Sequence, residues 1–318
     1  MSASRALRIG TRASALALWQ ARDVAARIAA QPGAPGVELV HISTSGDRQS
    51  EVPLWQARGQ AFFTREIDRA LLTRQVDVAV HSLKDLPTQL DAGLALAALL
   101  PRADPRDVLV SRSGTALAAL PERARIGTSS LRRRAFLARL RPDATLLELR
   151  GNVPTRIERL QRGEYDAIVL AAAGLARLGL AQHATEYLAP ESFPPAVSQG
   201  VIGICARSED EATLRWLAAL DDRDARLAAS AERALLRRLE GGCQVPLGAL
   251  ATVRGESLTL MACVCALDGS RHLTASATAL AAAAEAEPLG VRVAEELLGR
   301  GAGELISSER EARAVEAP

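Results

Sequence analysis

Residues 76–87 read Val76-Asp77-Val78-Ala79-Val80-His81-Ser82-Leu83-Lys84-Asp85-Leu86-Pro87. The apolar run Val78-Ala79-Val80 is typical of a buried strand, and a polar segment follows it at once. In open α/β sheets, ligands bind beyond the carboxyl ends of the strands. The stretch therefore predicts an α/β sheet with a functional site at Lys84 and Asp85.

Lys84 is the only lysine among the 39 lysine and arginine residues of the chain. An ammonium is a compact charge on a flexible stem, whereas a guanidinium is a rigid fork. The alternative is that this one lysine occupies an ordinary surface position. Its place after a predicted strand favours a functional role.

Strand-like and helix-like segments alternate through the first two-thirds of the chain, which predicts two α/β domains with mostly parallel sheets. The predicted strands lie at 7–9, 37–42, 76–80, 94–99, 107–111, 125–127, 145–149 and 167–170. The predicted helices lie at 14–28, 63–72, 130–140, 153–161 and 172–178.

Beyond Glu209 the pattern changes to two helices within 212–239, then three strands and a closing helix near 288–298, which predicts a small α+β domain. Phe193-Pro194-Pro195 interrupts the alternation and indicates a crossing point between domains. The predicted domains are residues 1–100 with about 200–218, residues 101–199, and residues 222–318.

Composition excludes several classes of function. The 318 residues carry a net charge of +2, which argues against bulk electrostatic binding to nucleic acid. We predict a cytoplasmic protein, because there is no signal peptide and no apolar run of membrane-spanning length. The four cysteines and four histidines show no metal-ligand spacing, so no metal site is expected. Cys263 and Cys265 are predicted to be buried small side chains.

Arginines recur at predicted strand ends and helix starts, as at Arg12, Arg150 and the run 132–134. Thr128-Ser129-Ser130 precedes that run, and a hydroxyl-rich helix N-terminus favours anions. Guanidinium forks match carboxylate or phosphate equally well. The pattern predicts a polyanionic ligand. The alternative is that the arginine run simply forms a solvent-exposed helix face.

Asp85 is the candidate for acid–base catalysis or for electrostatic stabilisation, because a carboxylate at a strand end can stabilise a developing positive charge. The alternative is that it pairs with Lys84 or caps a turn. For His81 a packed or hydrogen-bonded role is at least as plausible as acid–base catalysis. Ser82 lacks the surroundings of a nucleophilic serine.

The segment Glu240-Gly241-Gly242-Cys243-Gln244-Val245-Pro246 presents a cysteine in a tight loop. Two glycines permit an unusual backbone and the close approach of another group. A cysteine nucleophile needs access and thiolate character, and a loop supplies access. A buried structural Cys243 is the less favoured alternative.

Together these segments resemble the porphobilinogen deaminase family. The matching motifs are Arg8-Ile9-Gly10-Thr11-Arg12, Ser14–Gln20, Ala79–Asp85, Gly127–Arg133, Leu149–Val153, Ala173-Gly174-Leu175 with Arg177, and Glu240–Pro246. They follow one another in order from about residue 7 to residue 250.

The resemblance implies a monomeric, three-domain transferase whose first two domains are like type II solute-binding proteins. It would join four porphobilinogen molecules head to tail, with loss of ammonia, on a dipyrromethane cofactor bound to Cys243 by a thioether. Asp85 would stabilise the cationic intermediate. The implied cofactor-binding residues are Lys84, Asp85, Thr128, Ser130, Arg132 and Arg133. The implied substrate-binding residues are Arg12, Ser14, Gln20, Phe63, Arg150, Arg156 and Arg177.

One departure concerns the segment Gly59-Gln60-Ala61-Phe62-Phe63, where the family usually has a lysine at the position of Gln60. We expect this difference to alter contacts over the cleft. Two rival functions remain from sequence: a non-catalytic solute-binding protein, and a regulatory homologue that has lost the activity.

Overall fold

The computed structural model describes residues 5–44, 64–239 and 245–307, and these residues form two compact units. Of the described residues, the first unit contains 5–44, 64–103 and 200–226, and the second contains 104–199, 227–239 and 245–307. None of the helices in the described ranges is both long and apolar enough to cross a membrane. Three domains were predicted from the sequence, whereas this division gives two units.

The first unit is built on a five-stranded sheet in the order β2-β1-β3-β10-β4. Its strands are β1 (Leu7–Thr11), β2 (Val37–His41), β3 (Val78–Ser82), β4 (Leu94–Leu99) and β10 (Ile202–Arg207). β1 runs parallel to β2 and β3, whereas β10 is antiparallel to both of its neighbours. The parallel pairs place the carboxyl ends of β1 and β3 at one edge of the sheet.

In the described part of the first unit the α-helices are α1 (Ala15–Ala29), α2 (Arg65–Leu72) and α6 (Glu211–Ala218). Apolar residues at helical spacing on α1, such as Val24 and Ile28, meet Val80 and Ile204 of the sheet in a fully buried core. The Ser14 hydroxyl begins α1 by accepting a hydrogen bond from the Ala17 amide at 3.3 Å.

The second unit repeats the arrangement with a sheet in the order β7-β6-β8-β5-β9. Its strands are β5 (Asp107–Ser111), β6 (Arg125–Gly127), β7 (Thr145–Leu147), β8 (Ala167–Ala171) and β9 (Glu186–Tyr187). Its helices are α3 (Leu131–Leu140), α4 (Val153–Gln161) and α5 (Ala172–Arg177). β6 is parallel to β7 and β8, so the segments after β6 and β8 emerge at the same edge.

The C-terminal part of the second unit is α+β. An antiparallel sheet of β11 (Leu247–Arg254), β12 (Ser257–Cys265) and β13 (His272–Leu280) packs on α7 (Arg223–Arg238) and α8 (Ala283–Gly299). Cys263 and Cys265 are buried on β12 beside the core that contains Phe136 of α3. Burial raises the pKa of the Cys263 thiol to about 12, which suits the predicted structural role.

The fold class predicted from the sequence is confirmed: two α/β sheets and a small α+β domain. The strand β10 was missed, because Ile202–Arg207 is a short apolar run that periodicity alone does not separate from a buried helix. β9 was also missed, since two residues give no pattern. The sheets are mixed rather than purely parallel, because β10 and β5 run antiparallel to their neighbours.

Candidate active site

A pocket opens at the carboxyl edge of the first sheet. It is lined by Arg12, Ser14, Leu16, Ala17, Gln20, Thr64, Val80, His81, Ser82 and Asp85. β1 delivers Arg12, β3 delivers His81 and Ser82, and α1 delivers Ser14 and Gln20. Four of the predicted site residues, Arg12, Ser14, Gln20 and Asp85, therefore share one pocket.

Asp85 lies at the end of a single 3-10 turn, Leu83–Asp85, that follows β3 directly. Within the described part of the chain, no group donates a hydrogen bond to its half-buried carboxylate. Lys84 precedes it on the same turn and is also half-buried, but it is not among the pocket-lining residues. This arrangement leaves the Asp85 carboxylate exposed to whatever enters the pocket.

A polar contact links α1 to β3 beside the pocket. The Gln20 amide nitrogen donates a hydrogen bond to the Ser82 hydroxyl at 2.9 Å. Gln20 is almost fully buried, so this contact positions Ser82 rather than reaching into solvent. Among the described residues, the hydrogen-bond partner of the Ser82 hydroxyl is the Gln20 amide, which is not a base of the kind that activates a nucleophile.

His81 is buried at 5% exposure and borders the same pocket. Burial, together with the nearby positive charge of Arg12, lowers the pKa of His81 to about 4. The imidazole is therefore neutral at physiological pH.

The second unit presents its own polar edge after β6. Ser130 is the N-cap of α3, where its hydroxyl accepts a hydrogen bond from the Arg133 amide at 3.4 Å. The Ser130 amide in turn donates to the Thr128 hydroxyl at 3.2 Å. These contacts organise the hydroxyl-rich turn that the sequence predicted to attract an anion.

Arg132 and Arg133 are both buried, and both bind the carboxylate of Asp107. Nη2 of each guanidinium lies 2.7 Å from an Asp107 oxygen, and Gln199 donates to the same carboxylate at 3.0 Å. Burial by itself would raise the pKa of Asp107, but the two guanidinium groups hold it well below its usual range. Sequence reasoning missed Asp107, although a carboxylate at the start of an apolar strand is the signal that a cation lies nearby.

The Asp107 contacts do not use every donor of the two arginines. Arg132 also donates to the Pro194 carbonyl, and Arg133 to the Val169 carbonyl. Nε of Arg132 is buried and has no partner among the described residues. These contacts hold both guanidinium groups in the buried interior of the second unit.

The other predicted arginines lie at strand and helix ends of the second unit. Arg150 follows β7, and burial lowers the pKa of its guanidinium. Arg156 on α4 donates from Nε to the Gly151 carbonyl at 2.8 Å, and Arg177 ends α5. Cys243, Phe63 and Gln60 lie outside the described residues.

Two family models match most of the chain. Residues 7–215 match the family model described as porphobilinogen deaminase, dipyrromethane cofactor binding domain. Residues 226–299 match the model of the porphobilinogen deaminase C-terminal domain. The chain belongs to the porphobilinogen deaminase family.

Relatives named porphobilinogen deaminase match nearly the whole chain. The protein of Syntrophotalea carbinolica is 48% identical over 305 residues, which is 96% of this chain and 96% of that protein. The protein of a Roseiflexus species is 50% identical over 301 residues, 94% of this chain and 98% of that protein. Family membership and the dipyrromethane cofactor, both predicted from the sequence, are thereby confirmed.

Among solved structures, an arginine-specific periplasmic binding protein of Salmonella typhimurium shares 14% sequence identity with this chain. The TM-score is 0.39, over 68% of this chain and 92% of that protein. A likeness of that size does not bear on function.

Proposed function

We propose that this chain is a hydroxymethylbilane synthase. It joins four porphobilinogen molecules head to tail with loss of ammonia, and water then releases the linear tetrapyrrole. The observation that carries the proposal is the open Asp85 carboxylate beside Arg12 and Ser14 in one pocket of a porphobilinogen deaminase chain. A carboxylate beside cationic and hydroxyl groups suits a substrate that bears both an ammonium group and carboxylates.

The capped turn and the two arginines of the second unit suit the carboxylates of a dipyrromethane cofactor, which supplies the pyrrole carbon on which the chain grows. Its carboxylates call for cations and hydroxyls, and the Thr128 and Ser130 hydroxyls at the capped start of α3 supply the hydroxyls. Cys243 would hold the cofactor through its sulfur. The residues proposed to bind it are Lys84, Asp85, Thr128, Ser130, Arg132 and Arg133.

Substrate and growing-chain carboxylates would be bound by a second group of residues. Arg12, Ser14 and Gln20 line the pocket, which supports this role for the first unit. The full proposed group is Arg12, Ser14, Gln20, Phe63, Arg150, Arg156 and Arg177. Asp85 would stabilise the positive charge that develops as ammonia leaves, because its carboxylate faces the pocket.

Intact-protein mass spectrometry tests the covalent part of the proposal. Protein from cells that make porphobilinogen should be heavier than the sequence mass by one dipyrromethane. Cys243→Ala should abolish that increment, whereas Cys205→Ala, a change at a buried cysteine of β10, should keep it. An unmodified wild-type chain would contradict the proposal and favour the solute-binding or regulatory alternatives.

The role of Asp85 has a separate test. We expect Asp85→Ala to keep the fold and to lower ammonia release from porphobilinogen by at least about 100-fold, since it removes a charge that stabilises the transition state. The measurement is steady-state ammonia release together with far-ultraviolet circular dichroism. Near-normal turnover in that variant would contradict the assigned role.

We further propose that the enzyme is a monomer in the cytoplasm and does not bind nucleic acid. The small net charge of +2 supports the last point. Sedimentation velocity at micromolar concentration should give a single species near 33.6 kDa. A concentration-dependent dimer would contradict the monomer.

A further inference from the structure

Gly203 lies inside the strand β10, where a residue without a side chain weakens a sheet. It is buried and is paired with His81 of β3 and with Leu99 of β4. Its φ is not positive, so the backbone conformation does not require glycine. A glycine in such a place indicates that a neighbouring group needs the space.

Two leucines on either side of Asp85 occupy that space. A Cβ atom on Gly203 would lie 3.0 Å from Cδ1 of Leu83 and 3.3 Å from Cδ1 of Leu86. Cδ1 of Leu96 on β4 would be its third neighbour, also at 3.3 Å. Leu83 begins the 3-10 turn that ends at Asp85, and Leu86 follows directly. The turn therefore rests on the bare backbone of β10 through its two flanking side chains.

The same turn is joined to β10 through its backbone. The Leu83 amide donates to the Val201 carbonyl at 3.0 Å. The Leu86 amide donates to the Leu83 carbonyl at 3.1 Å, which closes the turn. The Leu83 side chain is fully buried, and Leu86 is 3% exposed. Because a packed interior has few voids, neither leucine has free space into which it could withdraw from an added methyl group.

We propose that Gly203 is a positioning residue that sets the place of the Asp85 carboxylate in the pocket. This inference rests on the proposed function, in which Asp85 stabilises the positive charge that develops as ammonia leaves. A methyl group on this glycine moves Leu83 and Leu86 by a few tenths of an ångström, and Asp85 lies between them. A charge displaced from its working position stabilises the transition state less.

Other side chains of the pocket stand on different elements. Arg12 follows β1, and Ser14 precedes α1. β3 lies between β1 and β10 in the sheet, so β10 holds the Asp85 turn without being paired to the strand that delivers Arg12. A change at Gly203 is therefore expected to act on the rate of the reaction and to leave substrate binding nearly unchanged.

The first test is Gly203→Ala. We expect kcat for ammonia release, counted per chain that carries the covalent cofactor by intact mass, to fall by at least about tenfold. KM should stay within about twofold, because the interaction that is weakened is made in the transition state. The fraction of loaded chain should also fall, since Lys84 of the same turn is in the proposed cofactor-binding group.

The second test removes the cause of the displacement. Leu83→Val shortens the side chain nearest to the added methyl group. The double variant Gly203→Ala with Leu83→Val should therefore recover at least about threefold in kcat over Gly203→Ala, together with part of the loading. Two substitutions that only destabilised the core would instead add their losses.

Leu83→Val by itself loosens the same packing without crowding it, and we expect it to lower kcat by about threefold. This single variant keeps the inference testable if Gly203→Ala does not fold.

Gly10→Ala is the matched control in the same sheet. A Cβ atom on Gly10 of β1 would lie 3.0 Å from Cγ2 of Val76, which equals the crowding at Gly203, and the φ of Gly10 is likewise not positive. Val76 precedes β3, at the end of the strand remote from Asp85. Gly10→Ala should therefore lower the melting temperature about as much as Gly203→Ala, but keep kcat within about twofold of the wild type.

Several results would overturn the inference. They are a wild-type kcat in loaded Gly203→Ala, a double variant that recovers nothing, an equal loss of kcat in Gly10→Ala, or a wild-type kcat in Leu83→Val where Gly203→Ala does not fold. Failure of the proposed function looks different, because a wild-type chain without the covalent mass increment would release no ammonia from porphobilinogen.

Discussion

Ser198 has a backbone conformation that residues with a side chain rarely adopt. Its φ is +62°, and it is almost fully buried. Its amide donates a 2.5 Å hydrogen bond to the buried carboxylate of Glu232, which also accepts one from the Ala251 amide. The Ser198 hydroxyl has no partner among the described residues. The amide contact therefore keeps the turn in place while the side chain adds strain.

Replacing Ser198 with glycine should stabilise the protein. Ser198→Gly relieves the left-handed strain and removes an unsatisfied hydroxyl, so we expect the free energy of unfolding to rise by about 1 kcal/mol. Urea denaturation measures the change. Ser192→Gly, where φ is not positive and the hydroxyl donates to the Ala189 carbonyl, should instead lose about 1 kcal/mol through chain entropy and the lost hydrogen bond. A less stable Ser198→Gly would show that the hydroxyl has a partner.

Substitution of Lys84 shows whether a positive charge alone is enough for cofactor attachment at the turn after β3. We expect Lys84→Arg to yield mainly protein without the covalent cofactor, because a rigid, wider fork replaces a compact ammonium at a half-buried position. The ratio of loaded to unloaded chain by intact mass is the measurement. Full loading would show that any cation serves.

At the scale of elements, Asp77 joins three strands of the first sheet. It precedes β3 and accepts hydrogen bonds from Nε and Nη2 of Arg8 on β1, at 3.0 and 2.9 Å, and from Arg207 at the end of β10. Burial by itself would raise the pKa of Asp77, but the hydrogen bonds from Arg8 and Arg207 lower it to about 2.

This lowered pKa makes a pH-dependent contribution to stability. The stabilisation is complete above the unfolded pKa of about 4 and is lost as the pH falls through 2. We expect Asp77→Asn to lower the free energy of unfolding by about 2 kcal/mol at pH 7 and by much less at pH 2.5. The surface change Asp23→Asn should cost at most about 0.5 kcal/mol at both pH values. An equal cost of Asp77→Asn at both pH values would contradict the linkage.

Asp107 plays the corresponding part in the second sheet, where it neutralises two buried guanidinium groups at the N-terminus of α3. Asp107→Asn leaves Arg132 and Arg133 buried without a countercharge, so we expect a loss of about 3 to 5 kcal/mol in thermal or urea unfolding. Asp166→Asn, which breaks a part-exposed pair with Arg125, should cost much less. Equal costs would show that the Asp107 charge is not needed.

At the scale of the whole molecule, the small sheet of the second unit lies directly against the Phe193–Pro195 segment. A Cβ atom on Gly248 of β11 would lie 2.4 Å from the Pro194 carbonyl oxygen, and the Ala249 amide donates to the Pro195 carbonyl at 2.9 Å. The close approach of two backbones requires glycine at this point.

Gly248→Ala should therefore weaken the attachment of the C-terminal sheet. We expect a loss of about 3 kcal/mol or more in urea denaturation, because neither backbone moves without breaking the neighbouring hydrogen bond. Gly299→Ala, at the end of α8 with open space around it, should be neutral or slightly stabilising. A neutral Gly248→Ala would show that the contact yields easily.

Local pattern was enough to predict most helices and strands, the three-part α/β and α+β architecture, and the strand-end position of Asp85. These features follow from side-chain periodicity and from the rule that ligands bind at the carboxyl ends of parallel strands. The family motifs also indicated the dipyrromethane cofactor that the family model names.

The partners of buried charges were decided only by the tertiary structure. Asp107 is about 25 positions from the arginines it neutralises, and Asp68 is 13 positions from His81, so neither pairing appears in local periodicity. The position of β10 in the sheet likewise depends on its antiparallel pairing with β3, which lies far away in the sequence. Burial and long-range contact set these features, because desolvation makes each buried charge depend on whichever group the fold brings beside it.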